Sequence, residues 1–371
     1  MSAIQRLSVA HTIGGTRLGS LVVAMLAVAC GWFAPPTISG AETNPPAAPK
    51  STAADDRTRA TQLVQDYRND LVLIEGKNGQ ASGFIADIKG RKYLVSNAHV
   101  LAEIKAPRYR LLDNSPLKLG PAMVAMGHDI LMINVIEGAD GIPTVPFGEA
   151  VARFADRVVV PGNAGGESVV KPLQGEVVGI GADRIEINAP IEPGSSGSPI
   201  IHLRSGKAVG VATYLKIKPS LSPSAGGLSR RLQFRRFGYR LDTVQRWEVV
   251  DWTRFYAQAG ELRKIENTTD ELEMAFWDIG SASRSRQARH LYDSRAISSA
   301  LDQYYLALSQ SSGQAKDAVR NLLVSLRAVG KSNVAVRQRF TYDFFRRRFD
   351  EEQARRKEIT TAMDKLLENI R

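Results

Sequence analysis

The chain of 371 residues carries one cysteine, Cys30. A disulfide framework and a zinc site of several thiolates are both excluded. Histidine is scarce, with five in all, so each one is judged by its surroundings. Glycine and proline stand at ordinary levels, 31 and 17 residues, which excludes a collagen-like or low-complexity chain. With 43% hydrophobic and 23% charged residues, wholesale disorder is excluded too. Beyond the amino-terminal forty residues no apolar run is long enough to cross a bilayer. The length suits two or three domains. The net charge of +11 permits attraction to anionic surfaces without demanding it.

The first 41 residues do not read as a fold. Arg6 and Arg17 precede an apolar run from Leu18 to Phe33, which is short for a spanning helix. Small residues follow, with Ser39-Gly40-Ala41 as a cleavage pattern. Residues 1–41 are expected to be a signal peptide, and the mature protein periplasmic or extracellular. The competing readings are an uncleaved anchor and lipidation at Cys30. Cleavage would remove that cysteine and two of the positive charges. Residues 42–60, rich in Pro, Ala, Thr and Ser, are expected to be a flexible linker.

From Leu71 to Leu215 short apolar runs recur, punctuated by Gly, Asn, Asp and Pro. The segment Asp183 to Asn188 alternates polar and apolar residues, as a half-buried strand does. Many short strands at close spacing predict a sandwich or barrel, and the length suffices for two small Greek-key barrels.

Three residues in this region have the makings of nucleophilic catalysis. His99 lies in Ser96-Asn97-Ala98-His99-Val100, just after an apolar strand. Asp129 lies in His128-Asp129-Ile130-Leu131, and Ser196 in Pro193-Gly194-Ser195-Ser196-Gly197-Ser198-Pro199. A serine hydroxyl needs a base to take its proton, and the base needs a carboxylate to orient it. Gly194 and Gly197 would allow the tight turn that aims backbone N–H groups at a developing oxyanion.

With Ala81-Ser82-Gly83-Phe84-Ile85 upstream and Gly206 to Ala212 downstream, these motifs resemble the trypsin-like serine peptidases. Within them the HtrA (Deg) group is the most similar. The resemblance covers about residues 70–217. It implies Ser196 as nucleophile, His99 as general base and then acid, and Asp129 as the orienting carboxylate. It further implies an oxyanion hole from the amides of Gly194 and Ser196, a polypeptide substrate, and no metal or organic cofactor. In the family the residue six before the nucleophile lies at the base of the primary pocket. Pro190 stands there, where members that cut after Lys or Arg carry Asp. Pro190 and Ala212 are the expected pocket residues, for a small or medium apolar side chain. Ser195 departs from the Asp or Asn common at its position, and Ser198 from a frequent Gly. His128 is expected to be a surface or packing residue, and His202 a strand-surface residue.

The resemblance implies an all-β double Greek-key barrel of the chymotrypsin type over 61–217. Residues 218–242 are expected to be a basic linker, and 243–371 an α-helical domain. Val319, Leu322, Leu323, Leu326 and Val329 follow a helical period, and Val244, Trp247, Val250 and Phe255 suggest another stripe. Residues 230–371 hold most of the net charge. The runs Arg346-Arg347-Arg348 and Arg355-Arg356-Lys357 could pair within their own helix. Candidate partners for this region are a second copy of the chain and an anionic envelope surface. No PDZ-type signature is visible, and nothing indicates nucleic acid.

Overall fold

The computed structural model describes residues 52–369, except 116, 138–139, 147–148, 150–151, 164–168, 225–226, 279–293, 311–314 and 332–333. The proposed signal peptide, Cys30, His11 and His290 lie outside the described residues. Two β-structures stand side by side, followed by helices.

The first is a sheet of β1 (Leu71–Gly76), β2 (Gly79–Ile88), β3 (Arg91–Ser96), β4 (Arg108–Leu111), β5 (Lys118–Ala125), β6 (Leu131–Glu137) and the two-residue β7 (Ile142–Pro143). The second contains β8 (Arg157–Gly162), β9 (Lys171–Ile180), β10 (Arg184–Ile187), β11 (Pro199–His202), β12 (Ala208–Ser224) and β13 (Gly227–Arg240). Its order β10-β13-β12-β11-β8-β9 closes into a barrel. β10 shows the alternating burial expected of residues 184–187.

The first sheet does not close. Its order runs from β14 (Trp247–Val249) through β5, β6, β3, β2 and β1 to β4. Side chains from the carboxy-terminal region pack against it. The helices of that region include α3 (Trp252–Asp278) and α7 (Asp343–Asn369), numbered after α1 (Ala53–Asp66) and α2 (Ala98–Glu103). Between them come α4 (Arg295–Gln310), α5 (Ala315–Val329) and α6 (Val334–Arg337). Phe255, Phe340, Phe345 and Phe349 share one apolar cluster with Val72, Ile74, Ile85, Leu94, Val124, Leu131 and Ile133 of the sheet. Phe255 and Phe345 have no exposed surface, and burying one such side chain contributes about 1.5–3 kcal/mol. A separate cluster of Leu272, Ile297, Leu301, Leu322, Leu323, Leu326, Ile359 and Met363 holds α3, α4, α5 and α7 together. Among the described residues no helix is long and apolar enough to cross a membrane.

Several elements differ from the sequence reading. The stretch 218–242, expected as a linker, supplies the end of β12 from Lys218 to Ser224 and all of β13. Their register runs from Gly210 opposite Arg240 out to Ser224 opposite Gly227. Pro219 and Pro223 punctuate the sequence, but proline is tolerated on strand edges. Residues 53–60, expected in a linker, begin α1. Thr52 and Asp55 cap that helix reciprocally, and Ala60, Leu63 and Val64 bury against the second barrel's core. Trp247, expected on a helical stripe, lies in β14. The arginine runs of α7 pair mainly across helices: Arg348 with Glu266, and Arg355 with Asp270 and Glu273. Arg347 reaches Asp183 in the second barrel. His202 is buried, with Nδ1 2.9 Å from Ser205 Oγ, and is not the surface residue expected. His128 is a packing residue, its Nε2 2.7 Å from Thr243 Oγ1.

Candidate active site

The site forms where the two β-structures meet. β3 ends at Ser96 and the chain turns at once into α2, which places His99 in its first turn. The hairpin from β5 to β6 turns through Gly127, at φ +78°, and presents Asp129. Two bonds tie these elements. Asn97 Nδ2 donates to the Asp129 carbonyl at 2.8 Å, and the His99 amide donates to Asp129 Oδ1 at 2.9 Å. The other carboxylate oxygen, Oδ2, lies 2.5 Å from His99 Nδ1. It accepts also from Thr213 Oγ1 at 3.0 Å. Asp129 is thus buried but fully bonded, as a buried carboxylate must be.

This contact sets the charge states. Burial alone would depress the His99 imidazole, but the Asp129 carboxylate outweighs it and holds the imidazole above its ordinary value. Burial would raise Asp129; His99 and the hydrogen bonds outweigh that and hold it below the ordinary carboxylate range. Nδ1 therefore donates to Asp129, which leaves Nε2 as the basic nitrogen.

Ser196 sits on the loop between β10 and β11. The Ser195 amide donates to the Glu192 carbonyl at 3.0 Å, and Gly194, third residue of that turn, has φ +98°. A turn with positive φ at its third residue is type II. Flipping the Pro193–Gly194 peptide would turn the Gly194 N–H to the opposite face. Among the described residues neither the Gly194 nor the Ser196 amide donates to another group. Gly197, at φ +90°, must be glycine, because a Cβ there would collide with the Ser82 carbonyl oxygen. Ser82 locks the loop from the first sheet: its amide donates to the Ser196 carbonyl at 2.9 Å and its hydroxyl to the Gly194 carbonyl at 2.8 Å.

The Ser196 hydroxyl donates to the Thr213 carbonyl at 2.9 Å. His99, Asp129 and Ser196 are thus joined through Thr213, which bonds Asp129 by its side chain and Ser196 by its backbone. Sequence reasoning did not single out Thr213. Its signal was a lone hydroxyl directly after the run Val209 to Ala212. The two expected pocket residues differ in exposure. Pro190 is exposed on its loop. Ala212 is fully buried behind the serine, its amide donating to Ser198 and its carbonyl accepting from Gly197.

The helical region borders this site. Asp343, first residue of α7, accepts from the Gly127 amide at 2.7 Å, two residues from Asp129. Arg348, Glu266 and Phe345 line a narrow cleft together with His99. Nothing in the local sequence marked these contacts.

Residues 81–211 match the family described as the trypsin-like peptidase domain. Among solved structures, the chain is similar to Rv3671c from M. tuberculosis H37Rv in an inactive form. Identity is 19%, over 48% of this chain and 84% of that one, with a TM-score of 0.35. For Deg5 the values are 20%, 43%, 86% and 0.36. For the serine endoprotease from Yersinia pestis they are 19%, 42%, 57% and 0.34. Among curated proteins none matches the chain. Residues 81–211 of this chain are a trypsin-like peptidase domain.

Proposed function

We propose that the chain is an exported serine endopeptidase that hydrolyses peptide bonds through Ser196, His99 and Asp129. The observation that carries this reading is the 2.5 Å contact of His99 Nδ1 with a buried, fully bonded Asp129 carboxylate. It fixes the imidazole with its basic nitrogen free. The apolar segment of residues 18–33 supports export.

In this mechanism the Ser196 hydroxyl leaves the Thr213 carbonyl and turns to His99 Nε2. The imidazole takes the proton while Oγ bonds the scissile carbonyl carbon. The negative charge moves to the carbonyl oxygen, where the amides of Gly194 and Ser196 receive it. His99 then passes its proton to the leaving amine, and the C–N bond breaks to leave an acyl-enzyme. Water, deprotonated by the same nitrogen, adds to the ester, and Ser196 leaves with the proton restored. Pro190 offers no charge to a Lys or Arg side chain, so cleavage after basic residues is disfavoured.

The Ser196–Thr213 bond favours a second reading, a resting or silent site on a binding scaffold. A fluorophosphonate probe separates the two. The first reading expects labelling of the wild type, lost in Ser196→Ala and strongly reduced in His99→Ala. A folded wild type that never labels would overturn it.

A further inference from the structure

The cleft beside His99 contains a cation that the three-residue mechanism does not use. Its lining includes His99 and Glu103, with Arg263 and Glu266 from α3 and Phe345 and Arg348 from α7. Arg348 is held there by Glu266, Nη2 to Oε1 at 2.6 Å. One turn earlier on α7, Phe344 and Phe345 are buried in the core of the first sheet, so the helix cannot shift without disturbing that core. We propose that Arg348 is a positioning residue for the catalytic pair. Placed in the cleft by Glu266, its guanidinium is the fixed counterweight to Asp129 against which His99 takes up and releases its proton. The proposal rests on the peptidase reading above.

Three charged groups bear on the imidazole, Asp129 from the β5–β6 turn, Glu103 from α2 and Arg348 from α7. Arg263 and Glu266 of α3 line the same cleft. Tyr239 of β13 lies beside Asp129. Asp129 and Glu103 favour the imidazolium, and Arg348 opposes it. Arg348 also favours the ionised form of Asp129. A general base works best when its proton affinity matches the working pH. A carboxylate in direct contact, unopposed, would hold the base protonated when it should accept. An arginine suits the opposing role because it stays charged at every working pH. Glu266 sets how much of that charge His99 feels, so the two residues should act with opposite sign.

The test uses the full chain in four forms besides the wild type: Arg348→Gln, Arg348→Lys, Glu266→Gln and the double variant Arg348→Gln/Glu266→Gln. Two readouts are followed across pH, the rate of fluorophosphonate labelling and the NMR titration of the His99 ring. Arg348→Gln should move both midpoints to higher pH. Its labelling at pH 6 should fall about three- to tenfold, the order expected for removing one charge from a partly solvated cleft, and recover by pH 9. Glu266→Gln should move both midpoints to lower pH. The double variant should return towards the wild type, and Arg348→Lys should stay near it. Equal or same-direction shifts in the two single variants, with folding intact by circular dichroism, would overturn the proposal and leave only a packing role. Labelling absent from every form would defeat the peptidase reading instead, and the ring titration would still decide this one.

Discussion

Removing one phenylalanine from α7 should destabilise the sheet that bears His99 and Asp129. Phe345 has no exposed surface. Its ring lies 4.9 Å from that of Phe255 and 5.0 Å from that of Phe344. It packs in the same cluster as Ile85, Leu94, Leu131 and Ile133. Truncating a buried phenylalanine to alanine costs about 3–5 kcal/mol. A single domain has about 5–15 kcal/mol in all, so Phe345→Ala should forfeit roughly a fifth of the stability or more. The core partners of Phe345 lie on β2, β3 and β6 as well as on α3. The loss should therefore reach β2, β3 and β6 along with the helices. Denaturant unfolding followed by amide exchange with mass spectrometry reads both regions at once. Exchange should quicken together in α7 and in β2, β3 and β6, with a single lowered midpoint. Faster exchange in the helices alone, with those strands protected as before, would refute the shared core.

Thr213→Val keeps the shape of the side chain but strips one donor from Asp129. Hydrogen bonds to charged groups are worth about 1.5–3 kcal/mol, so a comparable loss is expected in denaturant titration, with slower labelling of Ser196. Gly194→Ala forces a side chain into φ +98°, which costs about 1–2 kcal/mol. The peptide should flip and labelling should fall tenfold or more, while circular dichroism stays unchanged. Acid sensitivity follows from the His99–Asp129 pair. In the proposed mechanism His99 must be neutral, and it is held above its ordinary value, so labelling should fall as pH drops through a midpoint above the usual histidine range. Stability has two windows. The raised His99 contributes stability below its unfolded value and loses it as pH rises through the folded one. The lowered Asp129 contributes above its unfolded value and loses it as pH falls through the folded one. Melting curves from acid to alkaline pH would show both.

The parts of the site that local sequence could suggest are those fixed by local chemistry. His99 follows a strand end, Asp129 sits in a tight hairpin turn, and Ser196 is bracketed by glycines whose φ values are positive. The alternation at residues 184–187 reported a strand because one face is buried. What escaped notice depends on distant partners. Pro219 and Pro223 looked like the punctuation of a linker, yet β13 returns to pair with β12 across that stretch. Trp247 fitted a helical stripe, but the free edge of β5 takes it as a strand. The four phenylalanines that pack against the sheet come from both ends of the helical region. No local period tells a side chain that packs on its own bundle from one that enters another core. Arg348 was one of three consecutive arginines, and only tertiary structure separates it from Arg347.

Peptide hydrolysis is the most direct trial of the central claim. The protein and its Ser196→Ala variant would each be incubated at pH 8 with a mixed library of unstructured peptides, and new termini identified by mass spectrometry. The account predicts internal cleavages by the wild type, largely after small or medium apolar residues and absent with Ser196→Ala. Identical cleavage by both proteins, or none by a folded wild type, would contradict it.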